Sequence, residues 1–500
     1  MQYESSKEQS DSKNTTDDTI GESTKFILEN HLENNGNHIK IEDALTEKYE
    51  GAIQENGTIY KPTKKPLPRH LSDRNHSLAT TDLETMVHLL KGNIGPGILA
   101  LPHAFMNAGL WVGAAGILLL GGTCIMGKHM LLCSAHRLCR DNDLATIAYE
   151  DAAELAFRRG PKIFHRFSST IHFIIILFLG LTQLGFCTVY FVFVPQNIRQ
   201  AVECMTGGTG ISQFTYQTAM LLPVLLLCYI PHLKYLAPIS MVASTLKAFG
   251  LVFTFWYLVK DLPDVHEPVP GFAGWSTMPL YFGSTIYAIG SIGLVLPLEN
   301  KMQTPRNYGG LTGVMQTGLM IAMSLYIAVG FYGYYRYGST IQGSVTLNLP
   351  SSELLAQITK IIIGISVLLT YPVQYYVPLT AMQPFIRKRW ETKRSKDIAE
   401  YTVRTILVLL TYIFAVSVPN IGLFVSLVGA VAATTLAFII PPFVEICTFW
   451  PDTGRFHIRI IRGVYIFALG VLGFVTGANS SIQGIIKFFS DGKQEPPLYC

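Results

Sequence analysis

The stretch HLLKGNIGPGILALP, residues 88–102, decides how this chain folds. It lies in an apolar segment from about residue 83 to residue 105, and a helical crossing of a bilayer takes roughly 20 residues. Four residues interrupt the segment: Gly92, Gly95, Pro96 and Gly97. Proline donates no backbone hydrogen bond and glycine relaxes the backbone, and a membrane tolerates unpaired backbone only inside protein or beside a wet cavity. The stretch therefore predicts a helix that breaks in mid-membrane, although a kinked span with a purely structural role also fits it.

The composition is typical of a polytopic membrane protein. Of the 500 residues, 49% are hydrophobic and 14% are charged. Eleven apolar segments are long enough to be spans, at about residues 83–105, 111–133, 168–195, 214–231, 235–259, 277–299, 309–332, 353–377, 401–418, 421–448 and 460–488. We therefore expect an all-α integral membrane protein with eleven transmembrane helices. No nucleophile, paired carboxylates or Cys/His cluster at metal spacing emerges, so we expect no enzyme activity, no metal, no cofactor and no nucleic-acid partner.

The distribution of charge predicts the domains and their orientation. Residues 1–80 are too polar to bury a core, so we expect a disordered cytosolic tail, then a transmembrane domain at 81–490 and a short extracytosolic tail at 491–500. With the amino terminus inside, eighteen Lys and Arg residues fall in cytosolic loops and three fall in outer loops. The positive-inside rule therefore places the amino terminus in the cytosol and the carboxyl terminus on the other side of the membrane.

The sixth predicted span, YFGSTIYAIGSIGLVLPLEN at residues 281–300, also has a weak centre. Gly290, Ser291 and Gly293 interrupt it, and Pro297 follows. An interval of five spans between two broken helices is the pattern of two five-helix inverted repeats, in which substrates bind at the breaks. Two breaks at matching positions predict a substrate site more strongly than one break does.

Several motifs match a known family in the right order. They are HLLKGNIGPGILALPHAFMNAG at 88–109, VLPLEN at 295–300, GSVTLNLP at 343–350 and YPVQYYVP at 371–378. They resemble the proton-coupled amino acid transporters of the amino acid/auxin permease family, insect members above all. The resemblance implies a LeuT-like fold, with a 5+5 inverted repeat, broken helices 1 and 6 and one extra helix. It also implies proton symport of small neutral amino acids, such as glycine, alanine and proline-like substrates, at the plasma membrane or on endosomes and lysosomes.

The chain departs from this family in two places. Family members usually carry a glutamate in the broken part of the sixth span, where this chain has Gly290. They also tend to have a disulfide between the loops that follow spans three and seven. Cys204 lies in the first of these loops, but residues 333–352 contain no cysteine. Cys204 is therefore either free or paired with Cys500, which is expected on the same side of the membrane.

A zwitterionic amino acid needs donors for its carboxylate and acceptors for its ammonium. Helix amino ends supply N–H groups, and unwound segments supply carbonyls. We expect the carboxylate at the break of span one, formed by Gly92, Asn93, Gly95, Pro96 and Gly97. We expect the ammonium at the break of span six, formed by Tyr287, Ala288, Ile289 and Gly290. Tyr371 and Tyr375 on span eight are further candidates for the pocket wall, although aromatic residues in spans more often serve packing.

Proton coupling needs a titratable group on the transport path. His88 lies about one turn before the first break and matches the histidine of the HLLKGN motif, to which the resemblance assigns a proton-coupling role; the alternative is an interfacial histidine. Lys247 lies midway along the fifth span, where a charge is costly unless it faces a cavity or a partner. Its ammonium can stand in for a sodium ion, and the alternative is a side chain that snorkels to the interface.

These features favour secondary active transport of small neutral amino acids with protons, by alternating access. The alternative is an amino acid sensor, or transceptor, that binds its ligand and signals through the cytosolic tail with little coupled transport, because the family glutamate is missing. A channel is a weaker alternative, since no span carries a filter-like motif. The expected partners are the amino acid, protons and the lipid bilayer, with cytosolic signalling proteins added under the sensor alternative.

Overall fold

The apolar segments form helices because a backbone in hydrocarbon must satisfy its hydrogen bonds within its own segment. The computed structural model describes residues 79–208, 210–230, 233–260, 262, 269–310, 312–390, 392–417, 420–452, 454 and 457–490. Within these ranges the one β-type pairing is an isolated bridge between Thr80 and Met302. Both predicted tails, residues 1–80 and 491–500, lie outside the described residues, apart from residues 79 and 80.

Sixteen α-helices are described. In chain order they are α1 (Asp82–Asn93), α2 (Pro96–Ala108), α3 (Leu110–Asp141), α4 (Tyr149–Arg159), α5 (Lys162–His165), α6 (Ser168–Thr206), α7 (Gln213–Cys228), α8 (Leu233–Val259), α9 (Met278–Ile289), α10 (Val295–Glu299), α11 (Val314–Tyr337), α12 (Leu354–Arg389), α13 (Lys393–Ser417), α14 (Ile421–Val428), α15 (Ile440–Phe449) and α16 (Ile458–Ser490). A 3-10 turn, Ile292–Leu294, joins α9 to α10. Two π-helical segments, Gly429–Ala433 and Thr435–Ile439, join α14 to α15.

Nine helical stretches in the described residues are long and apolar enough to cross a membrane. They are Leu110–Asp141, Ser168–Thr206, Leu236–Val259, Met278–Glu299, Val314–Thr340, Leu354–Gln383, Arg394–Ser417, Ile421–Phe449 and Ile458–Ser490. The first predicted span is the broken pair α1 and α2, and the fourth is the 16-residue α7. All eleven predicted segments are therefore helical, while the number of complete crossings stays a prediction.

Helix α2, the second half of the first predicted span, lies in the core of the bundle. It packs against α9 and α11, and its Leu101, Ala104 and Phe105 are at most 1% exposed. Helix α9 in turn packs against α14 and the π-helical segment that follows it. Helices α6 and α8 both pack along α12. The half-helix after the first break and the half-helix before the second one are thus held side by side by the surrounding long helices.

Helix α4 is a short helix between the second and third predicted spans. It begins at Tyr149, whose hydroxyl donates to the carbonyl of Leu436 at 2.8 Å, and it buries Ala152 and Ala156. His172 of α6 lies 3.1 Å from the carboxylate of Glu154 on α4. This contact joins α6 to α4.

The structure decides between the two alternatives for Cys204, because this residue is disulfide-bonded. The free cysteines in the described part of the chain are Cys124, Cys133, Cys139, Cys187, Cys228 and Cys447. The eighth cysteine of the sequence, Cys500, lies outside the described residues. The alternative of a free Cys204 is therefore wrong, and its pairing with Cys500 stays a prediction.

We expect thiol labelling to identify Cys500 as the partner of Cys204. When the unreduced protein is unfolded and alkylated, Cys204→Ser should make Cys500 newly reactive, because its bonding partner is gone. Peptide mass spectrometry measures the modification at each cysteine. Cys133→Ser removes an exposed free thiol and should create no new reactive site, so it serves as the control. Alkylation of Cys500 in the unreduced wild type would contradict the pairing.

Candidate substrate site at two facing helix breaks

The first break lies between α1 and α2. Helix α1 ends at Asn93 and α2 begins at Pro96, with Gly95 in an extended conformation before it. Proline suits the first helical position, because an N–H there has no acceptor within the helix. The other N–H groups of the first turn, including that of Gly97, also lack an acceptor within their own helix. The predicted interruption of span one is therefore observed, with helix-end donors on its α2 side.

The second break lies between α9 and α10. Helix α9 ends at Ile289, and the chain passes through Gly290 and Ser291 into the 3-10 turn. The last carbonyls of a helix have no donor within that helix, so those of Ala288 and Ile289 need partners from elsewhere. The predicted interruption of span six is observed as well.

The two breaks face each other. A Cβ atom on Gly97 would lie 3.1 Å from the Cα of Ala288, so the start of α2 touches the end of α9. The hydroxyl of Ser291 donates to the Asn93 side-chain oxygen at 2.6 Å. The Tyr326 hydroxyl on α11 lies 2.8 Å from the carbonyl oxygen of Asn93 and 3.1 Å from that of Ala288. One hydroxyl on a neighbouring helix thus bridges the two breaks.

Lys128 on α3 is a part of this region that the sequence did not reveal. Its side chain is 1% exposed, and its ammonium donates to the Ile289 carbonyl and to the Ser291 hydroxyl, both at 3.2 Å. The available signal was a lysine inside the predicted second span. It was missed because a lysine near the end of a span is ordinarily expected to snorkel to the interface.

The carbonyls expected to bind the substrate ammonium already have partners. The Ala288 carbonyl lies within hydrogen-bond distance of Tyr326, and the Ile289 carbonyl accepts from Lys128 and, at 3.5 Å, from the thiol of Cys124. This conformation is therefore one in which the protein itself fills the acceptors at the second break.

Tyr287 leaves a polar group unused beside the second break. Its ring packs edge-to-face on Phe186 of α6, with the ring centroids 4.8 Å apart. Its hydroxyl is buried and has no hydrogen-bond partner among the described residues. A buried unpaired hydroxyl costs free energy, so its presence next to the breaks is consistent with a contact that only a ligand or water completes.

Two small cavities touch the breaks. One is bounded by Lys247 of α8, by Gly95 and Pro96 of the first break and by Ile363 of α12, and the other is bounded by Asn93, Lys128, Ile289 and Tyr326. Each has a volume of about 10 Å³, which is room for roughly one water molecule. Lys247 therefore lies against the first break, as a coupling residue requires, and neither cavity is large enough for an amino acid.

The remaining candidates lie at different distances from the breaks. Gly92 faces Leu294, just beyond the second break, and a side chain on Gly290 would begin 3.0 Å from Ala433. His88 is exposed on α1, in the electrostatic range of Lys91, Lys301 and Glu84. It therefore contributes to the site only if α1 moves or the proton path extends to its position.

The two candidate tyrosines of α12 direct their hydroxyls to α13. Tyr371 bonds to the Thr411 hydroxyl at 2.7 Å, and Tyr375 donates to the Arg404 carbonyl at 3.0 Å. The ring of Tyr371 also lies beside that of Tyr190 on α6, with the ring centroids 6.5 Å apart. The structure thus gives both hydroxyls packing partners, and a substrate contact for either residue stays a prediction.

Comparison with known proteins assigns the family. The family model described as "Transmembrane amino acid transporter protein" matches residues 79–485. The chain belongs to this family. It is 37% identical over 427 residues to the "Proton-coupled amino acid transporter-like protein pathetic" of Drosophila melanogaster, with 85% of this chain and 89% of that protein covered. It is 26% identical over 424 residues to the "Probable amino acid transporter skat-1" of Caenorhabditis elegans, with 82% and 91% covered.

A solved structure has the same fold. The structure titled "Inward facing conformation of Mhp1" superposes with a TM-score of 0.50 at 14% sequence identity, covering 88% of this chain and 96% of that one. The LeuT-like architecture expected from the two broken spans is therefore confirmed. Family and fold together identify the chain as a secondary amino acid transporter that crosses the membrane several times.

We expect Tyr326→Phe to destabilise the contact between the two breaks. The substitution removes the hydroxyl from two buried carbonyls. That of Asn93 still accepts from the Gly95 N–H at 2.9 Å, but that of Ala288 is left unpaired, which costs about 1–3 kcal/mol. The thermal midpoint of the purified protein in detergent should fall, and substrate uptake should fall with it. Tyr465→Phe, at a residue that is 45% exposed, removes a hydroxyl elsewhere and should change neither quantity. An unchanged thermal midpoint in Tyr326→Phe would show that the bridging hydroxyl contributes nothing to the stability of the protein.

Proposed function

We propose that this chain is a proton-coupled symporter of small neutral amino acids. The observation that carries the proposal is the pair of facing helix breaks, joined by Tyr326 and by the bond from Ser291 to Asn93. One break offers helix-end N–H groups and the other offers carbonyls, which together complement a zwitterion. Similarity to a protein named as proton-coupled amino acid transporter-like supports the choice of coupling ion.

A small substrate side chain fits the walls of this region. Gly97 lies against both Tyr287 and Ala288, so the space between the half-helices is narrow. The buried, unpaired hydroxyl of Tyr287 offers one polar contact beside an aromatic ring that Phe186 holds in place. A bulky side chain would have to displace this packing. Glycine, alanine and proline-like amino acids are therefore the proposed substrates.

The bonds across the breaks define a closed conformation. While Tyr326 and Ser291 hold the two breaks together, the adjoining cavities admit about one water molecule each. A substrate enters only after these bonds open. Movement of one helical repeat against the other around such a site is how LeuT-like transporters alternate their access.

Two basic residues are proposed to couple protons to this cycle. Lys247 lies against Gly95 and Pro96, so a change in its charge acts directly on the first break. His88 lies on α1, the half-helix before that break, and is exposed in the closed conformation. Protonation of either residue alters the electrostatic free energy of the first break, which is what coupling requires.

We place the amino terminus in the cytosol and the carboxyl terminus on the opposite side of the membrane. The proposal rests on the excess of Lys and Arg in the loops on the amino-terminal side. The host membrane is proposed to be the plasma membrane or the endosomal–lysosomal membrane. The tail of residues 1–80 then lies in the cytosol, where it is available to signalling proteins.

Flux through proteoliposomes tests the proposed function. Purified protein should accumulate radiolabelled glycine, alanine or proline when the outside is acidic, and the uptake should collapse when a protonophore removes the proton gradient. Replacing sodium by choline at constant pH should leave the uptake unchanged. Binding of amino acid without proton-dependent uptake would reject the symporter and favour the sensor, and an absence of both would reject amino acid recognition altogether.

We expect His88→Ala and Lys247→Met to weaken coupling in different ways. His88→Ala should abolish the stimulation of uptake by acid, and Lys247→Met should allow alanine to move without protons, because the charge beside the first break is gone. Uptake against external pH and the reversal potential of the alanine current measure the two effects. Lys487→Met, near the end of α16, is a control that should behave as the wild type. Normal acid stimulation or an unchanged reversal potential would remove the corresponding residue from the mechanism.

A further inference from the structure

Lys128 holds its charge deep in the protein rather than at an interface. It is 1% exposed, and its ammonium donates to two neutral groups of the second break, the Ile289 carbonyl and the Ser291 hydroxyl. A charge in a membrane span is costly and usually faces a functional site. The position of Lys128 therefore indicates that it acts in the substrate site itself.

The acceptors of Lys128 are those that a substrate ammonium needs. The Ile289 carbonyl belongs to the last turn of α9, where carbonyl groups lack donors from their own helix. The negative end of a helix dipole attracts cations to the same place. A substrate α-ammonium and the Lys128 ammonium are the same chemical group, so they compete for the same carbonyl.

We propose that Lys128 is a specificity-determining residue, whose ammonium occupies the amino-group position of the site in the closed conformation and is displaced by the α-ammonium of the substrate. The inference rests on the proposed function. The Lys128 ammonium, attached to α3, thus competes with the α-ammonium of any zwitterionic substrate for the same position. It also connects the second break to the first, because its partner Ser291 donates in turn to Asn93.

The surroundings of Gly290 agree with this assignment. A Cβ atom at this position would lie 2.5 Å from the Ile286 carbonyl oxygen and 3.0 Å from the Cβ of Ala433. The second break therefore has no room for a longer side chain of its own in this conformation. The charged group at the second break is therefore the Lys128 ammonium of α3, rather than a side chain at position 290.

The competition has a measurable consequence. If the amino-group position is vacant in only a fraction of the molecules, the apparent dissociation constant of a substrate rises by the inverse of that fraction. Removing the Lys128 ammonium should therefore tighten binding of a zwitterion, by roughly three- to tenfold if the vacant fraction is a few tenths or less. A ligand that lacks an amino group does not displace Lys128, so its affinity should not rise when the Lys128 ammonium is removed.

Lys360 on α12 provides a matched control. It is fully buried, and its ammonium donates to a carbonyl, that of Leu349 at 3.0 Å, and to a serine hydroxyl, that of Ser351 at 2.7 Å. The two lysines thus have the same kind of partners, but those of Lys360 lie in the segment that leads into α12 rather than at a helix break. Lys360→Met reports the general cost of losing a buried ammonium.

The test measures equilibrium binding of radiolabelled alanine to the purified full-length protein in detergent, with propionate as the competitor that lacks the amino group. Lys128→Met should lower the dissociation constant of alanine by roughly three- to tenfold and leave the inhibition constant of propionate unchanged or higher. Lys360→Met should not tighten alanine binding. Lys128→Leu, which also removes the donor to the Ile289 carbonyl and should tighten alanine binding in the same way, serves as the second variant if the methionine variant is not monodisperse on size exclusion.

The possible results separate the two proposals. Wild-type protein that binds none of the proposed amino acids would reject the proposed function. Wild-type protein that binds alanine, together with folded Lys128 variants whose affinity is unchanged or weaker, would overturn the inference about Lys128 alone. Equal tightening in Lys128→Met and Lys360→Met, or equal tightening for alanine and propionate, would also overturn it.

Discussion

The structure depends on how unpaired backbone groups are satisfied inside a membrane. A broken helix exposes N–H and C=O groups that hydrocarbon cannot solvate, and each one left alone costs several kcal/mol. Here the carbonyls of Asn93, Ala288 and Ile289 are reached by side chains from other helices, Tyr326 on α11 and Lys128 on α3. Under the proposed function, the helices that support the breaks therefore also determine which bonds a substrate must displace.

Close helix packing makes this arrangement possible. A Cβ atom on Gly429 would come within 1.9 Å of the Gly283 carbonyl oxygen, so only glycine allows the π-helical segment after α14 to touch α9. The carbonyl of Gly429 accepts at 2.9 Å from the hydroxyl of Thr434, the residue between the two π-helical segments. Departures from regular α-helix of this kind recur at functional sites, and this one lies directly behind the half-helix that ends at the second break.

Three buried cations among the described residues donate to backbone carbonyls. Lys128 and Lys360 each donate to a backbone carbonyl and a serine hydroxyl, and Arg404 donates to the carbonyls of Cys228 and Ile230 as well as to the carboxylate of Glu400. Carbonyls at helix ends are the natural acceptors for such groups, because they carry the negative end of the helix dipole. The proposed binding of a substrate ammonium by helix-end carbonyls therefore uses the same interaction as the bond from Lys128 to the Ile289 carbonyl.

The sequence by itself determined the helical class, the two breaks and the family resemblance, since glycine and proline act locally and apolar runs of this length have few other uses. It also marked Lys247 as a mid-span charge that needs a cavity or a partner, and the structure shows that the cavity it lines is at the first break. Only the tertiary structure decided which side chains meet at the breaks. Lys128 and Tyr326 come from helices far from them in sequence, and periodicity does not specify which face of one helix meets a given carbonyl of another. The same reason explains why Tyr371 and Tyr375, plausible pocket residues by position, have their hydroxyls on α13.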